Sequence, residues 1–143
     1  FRGEYGFLSN FHLCEIKVKS LQTGKALTFP SSEHAFMASK TMNPNEWTQF
    51  TVEGGLTPAQ AKYAGRRVKL RPNWDEVKLH FMRKILTYKF EQNPELMDKL
   101  LATGDQLLIE GNTWNDTYWG MCNGKGENHL GKILMELRNY YNV

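Results

Sequence analysis

The first third of the chain carries an alternating pattern that predicts a β-hairpin. Apolar and charged side chains alternate over residues 13–19, and a second short stretch covers residues 25–29. Thr23 and Gly24 lie between the two stretches and are typical turn residues. Residues 1–11 combine aromatic rings with Gly and Asn, and we interpret them as an ordered loop. The start of the chain is therefore expected to be a loop followed by two paired strands.

Helical spacing dominates the remaining sequence. The clearest example follows Asn73, where apolar residues recur every three or four positions up to Phe90. Phe81 and Tyr88 lie in this pattern and are expected in the core. Capping residues and helix-starting prolines mark the other predicted helices, which begin at Ser31 or Ser32, Asn43-Pro44, Thr57-Pro58, Asn93-Pro94 and Asn128.

The predicted elements define a fold class. The helix after Ser31 or Ser32 is expected to run from Glu33 to about Thr41. Residues 106–110 form a short apolar stretch that predicts a buried strand, and a polar, aromatic loop follows over residues 111–127. The pattern predicts an α+β protein: a predominantly helical single domain, residues 1–143, with a small β-sheet.

Composition excludes several classes of protein. The chain has 143 residues, 18 basic and 15 acidic, for a net charge of +3, and no apolar run approaches the roughly 20 residues that cross a bilayer. Cys14 and Cys122 are far apart, which argues against a disulfide scaffold or zinc module and favours a reducing, cytoplasmic location. Aromatic residues make up 13% of the chain, so a core or a ligand must cover many rings.

The first candidate stretch is the helix that follows Pro30. Glu33, Met37 and Lys40 share one face by the spacing i, i+4, i+7, so a carboxylate and an amine lie on the same side. Glu33 also lies in the first turn, where the helix end favours an anion or a ligand oxygen. The alternative is a surface helix whose charges merely complement its dipole.

The second candidate stretch is basic. Residues 61–71 contain five Lys and Arg residues and no acidic one. Guanidinium groups bind phosphate oxygens in a bidentate manner, so Arg66 or Arg67, just after Gly65, could hold a phosphate. The alternative is a solvated, charged strand edge.

The third candidate stretch is the aromatic loop. Two tryptophans and a tyrosine alternate with an amide and a carboxylate over residues 110–120. Buried polar groups need partners, so Asn115 and Asp116 suit a pocket whose rings stack on a flat heterocycle. The alternative is a tight turn in which Trp114 or Trp119 fills the core.

Together the three stretches predict a site for a phosphorylated ring compound. Glu33 and Asp116 are the candidate acid and base groups, and such a pair suits cleavage at an anomeric carbon. His12, His34, His80 and His129 lack metal-ligand spacing, and neither a nucleophile elbow nor a phosphate-binding P-loop is present. We therefore expect no metal and no cofactor.

The ordered set of motifs resembles the NADAR (YbiA-like) domain family over nearly the whole chain. The motifs that carry the resemblance are Phe7–Phe11, Ser32–Lys40, Gly65-Arg66 with Val68-Lys69, Trp74-Asp75, Trp114-Asn115-Asp116 with Tyr118-Trp119-Gly120, and Gly126, Asn128, Leu130, Gly131, Leu134 and Met135. The resemblance implies an N-glycosidase that hydrolyses the bond between a ribose C1 and a base nitrogen. Some family members act on phosphorylated riboflavin-biosynthesis intermediates, and others remove ADP-ribose from guanine in DNA.

The resemblance also implies roles for individual residues. Glu33, Lys40 and Asp116 would be catalytic, and Lys40 would form a Schiff base with the opened ribose or support the departing base electrostatically. The implied substrate-binding residues are Asn10, Arg66 as the phosphate holder, Trp114, Asn115, Tyr118 and Trp119. The expected partner is a small phosphorylated ribosyl substrate or ADP-ribosylated guanine in DNA.

Two other classes of function use the same residues. A non-catalytic module could bind ADP-ribose or a nucleotide through the same rings and arginine. A nucleic-acid-binding protein would lose affinity steeply with salt, although a net charge of +3 is low for that class. The complete set of ionisable residues favours the enzyme.

Overall fold

The computed structural model describes residues 1–142, which form two compact units. The first unit combines residues 1–9 with the chain from Pro94 onward, and the second consists of residues 10–93. The organisation of the chain as one domain stays a prediction.

The unit of residues 10–93 contains the predicted hairpin and four helices. Strands β1 (Ile16–Lys19) and β2 (Ala26–Phe29) pair in antiparallel fashion, with Ile16 opposite Phe29. The hairpin is confirmed, with strands shorter than the alternating pattern. The helices are α1 (Ser32–Ser39), α2 (Pro44–Trp47), α3 (Pro58–Ala64) and α4 (Trp74–Gln92), and short 3-10 turns cover Thr48–Phe50 and Val52–Gly54.

The other unit contains two helices and a minimal strand pair. Its helices are α5 (Pro94–Ala102) and α6 (His129–Tyr141), and β3 (Gly111–Asn112) pairs in parallel with β4 (Met121–Cys122). Residues 3–8 form a 3-10 helix, so the prediction of a loop over residues 1–11 was wrong there. The α+β class, largely helical with little sheet, is confirmed.

The predicted strand over residues 106–110 does not form. Leu107 is 71% exposed, and no residue of this segment belongs to a strand, although the Glu110 carbonyl at its end accepts the Met121 N–H of β4 at 2.8 Å. The Asn128 amide donates to the Leu108 carbonyl at 2.9 Å, and its oxygen accepts the Glu110 N–H at 3.0 Å. The Asn128 side chain therefore satisfies two of the segment's backbone groups without a neighbouring strand.

Helix α4 buries much of its expected apolar face, but two of the expected core rings are only partly covered. Met82, Leu86 and Phe90 are fully buried, whereas Phe81 and Tyr88 are only half-buried, so their prediction as core residues was wrong. Both rings line a cavity of about 280 Å³ whose walls also include Trp47 and Arg71. A ring that borders a cavity is only partly covered, although its spacing along the helix resembles that of a core residue.

Within residues 1–142, no helix is both long enough and apolar enough to cross a lipid bilayer.

Lys89 is completely buried in helix α4. Burial lowers its pKa from the usual 10.5 to about 8, while the electrostatic effect of Cys14 acts in the opposite direction. Between pH 8 and 10.5 the unfolded chain therefore binds more protons than the folded chain. The linkage relation then requires the free energy of unfolding to rise with pH across this window, by up to about 3 kcal/mol. Below pH 8 both states are protonated, and this contribution is flat.

Urea unfolding between pH 7 and 9.5 measures this rise, and Lys89→Met provides the comparison because methionine does not titrate. We expect the variant to lose most of the increase seen in the wild type. Equal pH dependence in the two proteins would contradict the assignment to Lys89.

Candidate active site

The first turn of α1 is held by the residues that precede it. Ser31 is the N-cap, and its side-chain oxygen accepts the His34 N–H at 3.2 Å. The Asn10 carbonyl accepts the Glu33 N–H at 3.0 Å, and the Ser32 hydroxyl donates to the Asn10 side-chain oxygen at 2.8 Å. Asn10 is thus adjacent to Glu33, and these bonds set the position from which the helix begins.

Glu33 and Lys40 interact electrostatically along one face of α1. Glu33 is 8% exposed, and Lys40 is half-buried at the C-terminal end of the helix. Burial lowers the pKa of Lys40 most strongly; the negative charge of Glu33 raises it, and the positive charge of Arg66 lowers it. Because burial is the largest of these effects, the pKa of Lys40 is lowered overall. A larger fraction of the amine is therefore neutral, which is the nucleophilic form of lysine.

Arg66 reaches this site because α3 packs closely on α1. Helix α3 begins with a capping box between Thr57 and Gln60 and ends at Gly65. A Cβ atom at Gly65 would collide with the Met37 side chain, which would then have to move, so glycine allows the two helices to approach closely with Met37 in place. Arg66 follows directly and is exposed, which leaves a cation beside the α1 face that carries Lys40.

His34 lies next to Glu33 in sequence and serves the fold. Its Nε2 lies 2.7 Å from the Leu56 carbonyl, and its Nδ1 lies 2.6 Å from the Ser31 hydroxyl. A carbonyl only accepts, so Nε2 carries the proton, and in the neutral ring Nδ1 accepts from Ser31. Burial lowers the pKa of His34, against the opposing effect of the Leu56 bond, and this favours the neutral ring.

The aromatic loop is shaped by hydrogen bonds around Asp116. One carboxylate oxygen, Oδ1, accepts the backbone N–H groups of Tyr118 at 3.2 Å and Trp119 at 3.0 Å. The Asn112 side chain binds both backbone groups of Asp116, at 2.8 and 2.9 Å. Asn115 is exposed and has a left-handed backbone with φ 65°. The carboxylate therefore organises its own loop, and its Oδ2 oxygen is the one available for chemistry.

The loop is also anchored on the start of α6. The first N–H groups of a helix lack partners within it, and here the loop carbonyls accept them. His129 donates to the Tyr118 carbonyl at 3.1 Å, and Leu130 donates to the Trp119 carbonyl at 3.0 Å. Gly126, with φ 146°, lies so close to the Gly120 carbonyl that a Cβ atom would collide with it.

The rings of the loop form a cluster that includes a histidine. Tyr118 lies 4.9 Å from Trp119 and 4.5 Å from His129, measured between ring centroids. Trp114 has 63% of its surface exposed. Sequence reasoning did not select His129, because its isolated position offers no spacing signal. The His129 Nε2 lies 3.5 Å from a Glu127 carboxylate oxygen, which makes it a polar member of the cluster.

The predicted site residues fall in both units. Four of them belong to the unit of residues 10–93. Glu33 and Lys40 share one face of α1, Asn10 bonds to its first turn, and Arg66 lies near Lys40. The predicted loop residues of the other unit are Trp114, Asn115, Asp116, Tyr118 and Trp119. Their catalytic and binding roles stay predictions.

The cavity of about 280 Å³ is separate from these residues. Ala35 and Ala38 line it, and they lie on the face of α1 opposite Glu33 and Lys40. The predicted site residues of this unit are therefore outside this cavity.

The sequence matches the NADAR domain over residues 1–141. Among curated proteins, it is 46% identical over 138 residues to N-glycosidase YbiA of Escherichia coli (strain K12), covering 94% of this chain and 81% of the relative. N-glycosidase Npun_R5314 of Nostoc punctiforme is 34% identical, and the match covers 94% of this chain and 84% of the relative. The Riboflavin biosynthesis protein VVA0006 of Vibrio vulnificus is 37% identical, although the match covers only 35% of that longer protein.

Structural comparison agrees with the sequence matches. The NMR structure of the Escherichia coli protein YbiA superposes with a TM-score of 0.81 at 42% identity, covering 99% of this chain and 83% of that one. The chain belongs to the NADAR domain family. The expected enzyme class is also confirmed: it is an N-glycosidase, a hydrolase of N-glycosyl bonds.

Proposed function

We propose that this enzyme hydrolyses the bond between ribose C1 and a base nitrogen in a phosphorylated ribosyl substrate. The observation that carries the proposal is the half-buried Lys40, whose pKa is lowered, on the same helix face as the nearly buried Glu33. The name of the Vibrio vulnificus relative, a riboflavin biosynthesis protein, favours a riboflavin-pathway ribosylamine phosphate as the substrate. ADP-ribosylated guanine is the alternative within the same chemistry.

Lys40 is proposed as the nucleophile. Its neutral amine attacks C1 of the ribose, a C–N bond forms, and the base leaves with a proton. Ring opening gives a Schiff base, and water then hydrolyses it to release the ribose phosphate and restore the amine. The neutral amine is favoured by burial and by Arg66, which support this role.

The two carboxyl groups are proposed to act on the ribose and the leaving base. Glu33 is nearly buried, so its charge would act with little screening on the positive charge that develops at C1. Asp116 is the second carboxyl group, and its Oδ2 would position water or transfer the proton.

Recognition of the substrate is proposed to use the remaining predicted residues. Arg66 is exposed and follows a helix end, so its guanidinium suits a phosphate. Trp114, Tyr118 and Trp119 offer faces for stacking on the base, with Asn115 to bond to its edge. Asn10 is proposed to contact the ribose beside Glu33.

The test is a direct comparison of two substrates with the purified protein. A phosphorylated ribosylamine of the riboflavin pathway and ADP-ribosylated guanosine are incubated separately, and release of the free base is followed by chromatography. Release from the ribosylamine supports the favoured substrate, and release only from ADP-ribosylated guanosine supports the alternative. Saturable binding of either compound without release of base would instead indicate a binding module.

A further inference from the structure

The C-terminal end of α1 is held by a group of hydrogen bonds that neither the sequence patterns nor the proposed chemistry uses. The last carbonyls of a helix have no partners within it, and a positive side chain near them is favourable. In this protein the carbonyls of residues 39–41, which include Lys40, find donors outside the helix. Arg71, about thirty positions away, binds those of Ser39 and Lys40, and Trp47 binds that of Thr41.

Arg71 supplies most of these donors. Its Nε donates to the Ser39 carbonyl at 2.8 Å, and its backbone N–H donates to the Lys40 carbonyl at 2.8 Å. A guanidinium N–H also approaches the Thr41 carbonyl, at the longer distance of 3.5 Å. Arg71 is itself fixed, since its guanidinium lies 4.6 Å from the centroid of the Phe81 ring.

Two residues of α2, Trp47 and Glu46, complete the arrangement. The indole N–H of Trp47 donates to the Thr41 carbonyl at 2.8 Å. The Thr41 hydroxyl donates to the Glu46 carboxylate at 2.7 Å, and the same carboxylate accepts the Lys69 N–H at 3.2 Å. Thr41 is fully buried. The residue after Lys40 is therefore bonded through both its backbone and its side chain.

We propose that Arg71 is a positioning residue for Lys40, which it holds in place through the carbonyls of residues 39–41. The inference rests on the proposed function, in which Lys40 is the nucleophile. A nucleophile must meet the reacting carbon within a few tenths of an ångström, and a displacement of about 1 Å can lower the rate about 100-fold. Arg71 acts through its hydrogen bonds to these carbonyls.

Arg71→Ala tests this role in the full chain. The variant loses the guanidinium group that binds the Ser39 and Thr41 carbonyls. We therefore expect kcat to fall about 10- to 100-fold with KM nearly unchanged. Hydrogen–deuterium exchange of the peptide amides over residues 38–42 should become faster. Addition of millimolar methylguanidinium should restore part of kcat, because the free ion can occupy the vacated space and donate the same bonds.

Three variants serve as controls. Arg71→Lys keeps the charge and one donor, and we expect it to retain part of the lost kcat. Arg83→Ala removes an exposed arginine of α4 and should leave kcat unchanged. Ile16→Val shortens a fully buried side chain of β1 that neither lines the cavity beside Arg71 nor bonds to residues 39–41, so it shows what a general loss of stability does to kcat.

The outcomes separate this inference from the proposed function. If Lys40→Ala is inactive while Arg71→Ala keeps full kcat, or if exchange over residues 38–42 is unchanged, the positioning role is overturned. If Lys40→Ala itself remains active, the proposed function fails, whatever the exchange data show. Faster exchange together with the loss of kcat and its rescue by methylguanidinium supports the inference.

Discussion

Glu33→Gln is expected to lower kcat about a thousandfold, within the range for removal of a positioned acid or base group. The amide keeps the size of the side chain and can still pack in the first turn of α1, but it cannot carry the charge that the proposed mechanism needs. The measurement is kcat on whichever ribosyl substrate the enzyme cleaves, beside Glu76→Gln, an exposed carboxylate of α4 that should have no effect.

A second readout of Glu33→Gln does not depend on turnover. The negative charge of Glu33 raises the pKa of Lys40, so its removal should lower that pKa further. Reductive methylation followed by peptide mass spectrometry reports the neutral fraction of the amine. We expect the methylation of Lys40 to reach its plateau at a lower pH in the variant than in the wild type. If the variant has full activity and an unchanged methylation profile, Glu33 is not part of the active site.

Lys40→Ala is expected to abolish covalent trapping and to lower kcat about 100- to 1,000-fold, as for loss of one group that stabilises the transition state. Borohydride reduces a Schiff base to a stable secondary amine. The wild type should therefore gain a mass adduct only when substrate is present, and the adduct should map to Lys40. Lys17→Ala, which removes an exposed lysine of the hairpin, should trap like the wild type.

The trapping experiment distinguishes two roles for Lys40. If the wild type turns over substrate without any trapped adduct, while Lys40→Ala is slow, the amine acts through its charge and water attacks the ribose. An adduct that persists in Lys40→Ala would place the nucleophile on another residue. The pH dependence is informative in both cases, because the lowered pKa of Lys40 predicts trapping at a lower pH than an ordinary lysine allows.

The fold was largely predictable wherever short-range chemistry decided it. The Thr57-Pro58 start of α3, the Ser31 cap of α1 and the antiparallel hairpin follow from turn and capping residues that act within a few positions. The strand predicted over residues 106–110 was wrong, and there the side chain of Asn128 bonds the Leu108 carbonyl and the Glu110 N–H. No local pattern reveals a partner about twenty positions away.

Part of the candidate site was also predictable. Glu33 and Lys40 share a face because seven residues make nearly two turns of helix, so their common side is a local property. Helical spacing also led to the wrong prediction that Phe81 and Tyr88 are core residues, because spacing does not distinguish a core ring from a ring that borders a cavity. Asp116 shapes its own loop because its carboxylate accepts the backbone N–H groups of Tyr118 and Trp119. These residues are close to it in sequence, but their types alone do not predict the bonds.

The sequence by itself determined the helices and hairpin, the family, and the helix face that carries the carboxylate and the amine. The tertiary structure decided what surrounds that face. It brings Arg66 to Lys40 through the contact of Gly65 with Met37, and it brings Arg71 to the end of α1 across thirty-two positions. The reason is physical: helix periodicity and capping act over a few residues, whereas burial, charge and backbone hydrogen bonds between distant segments exist only after the chain has packed.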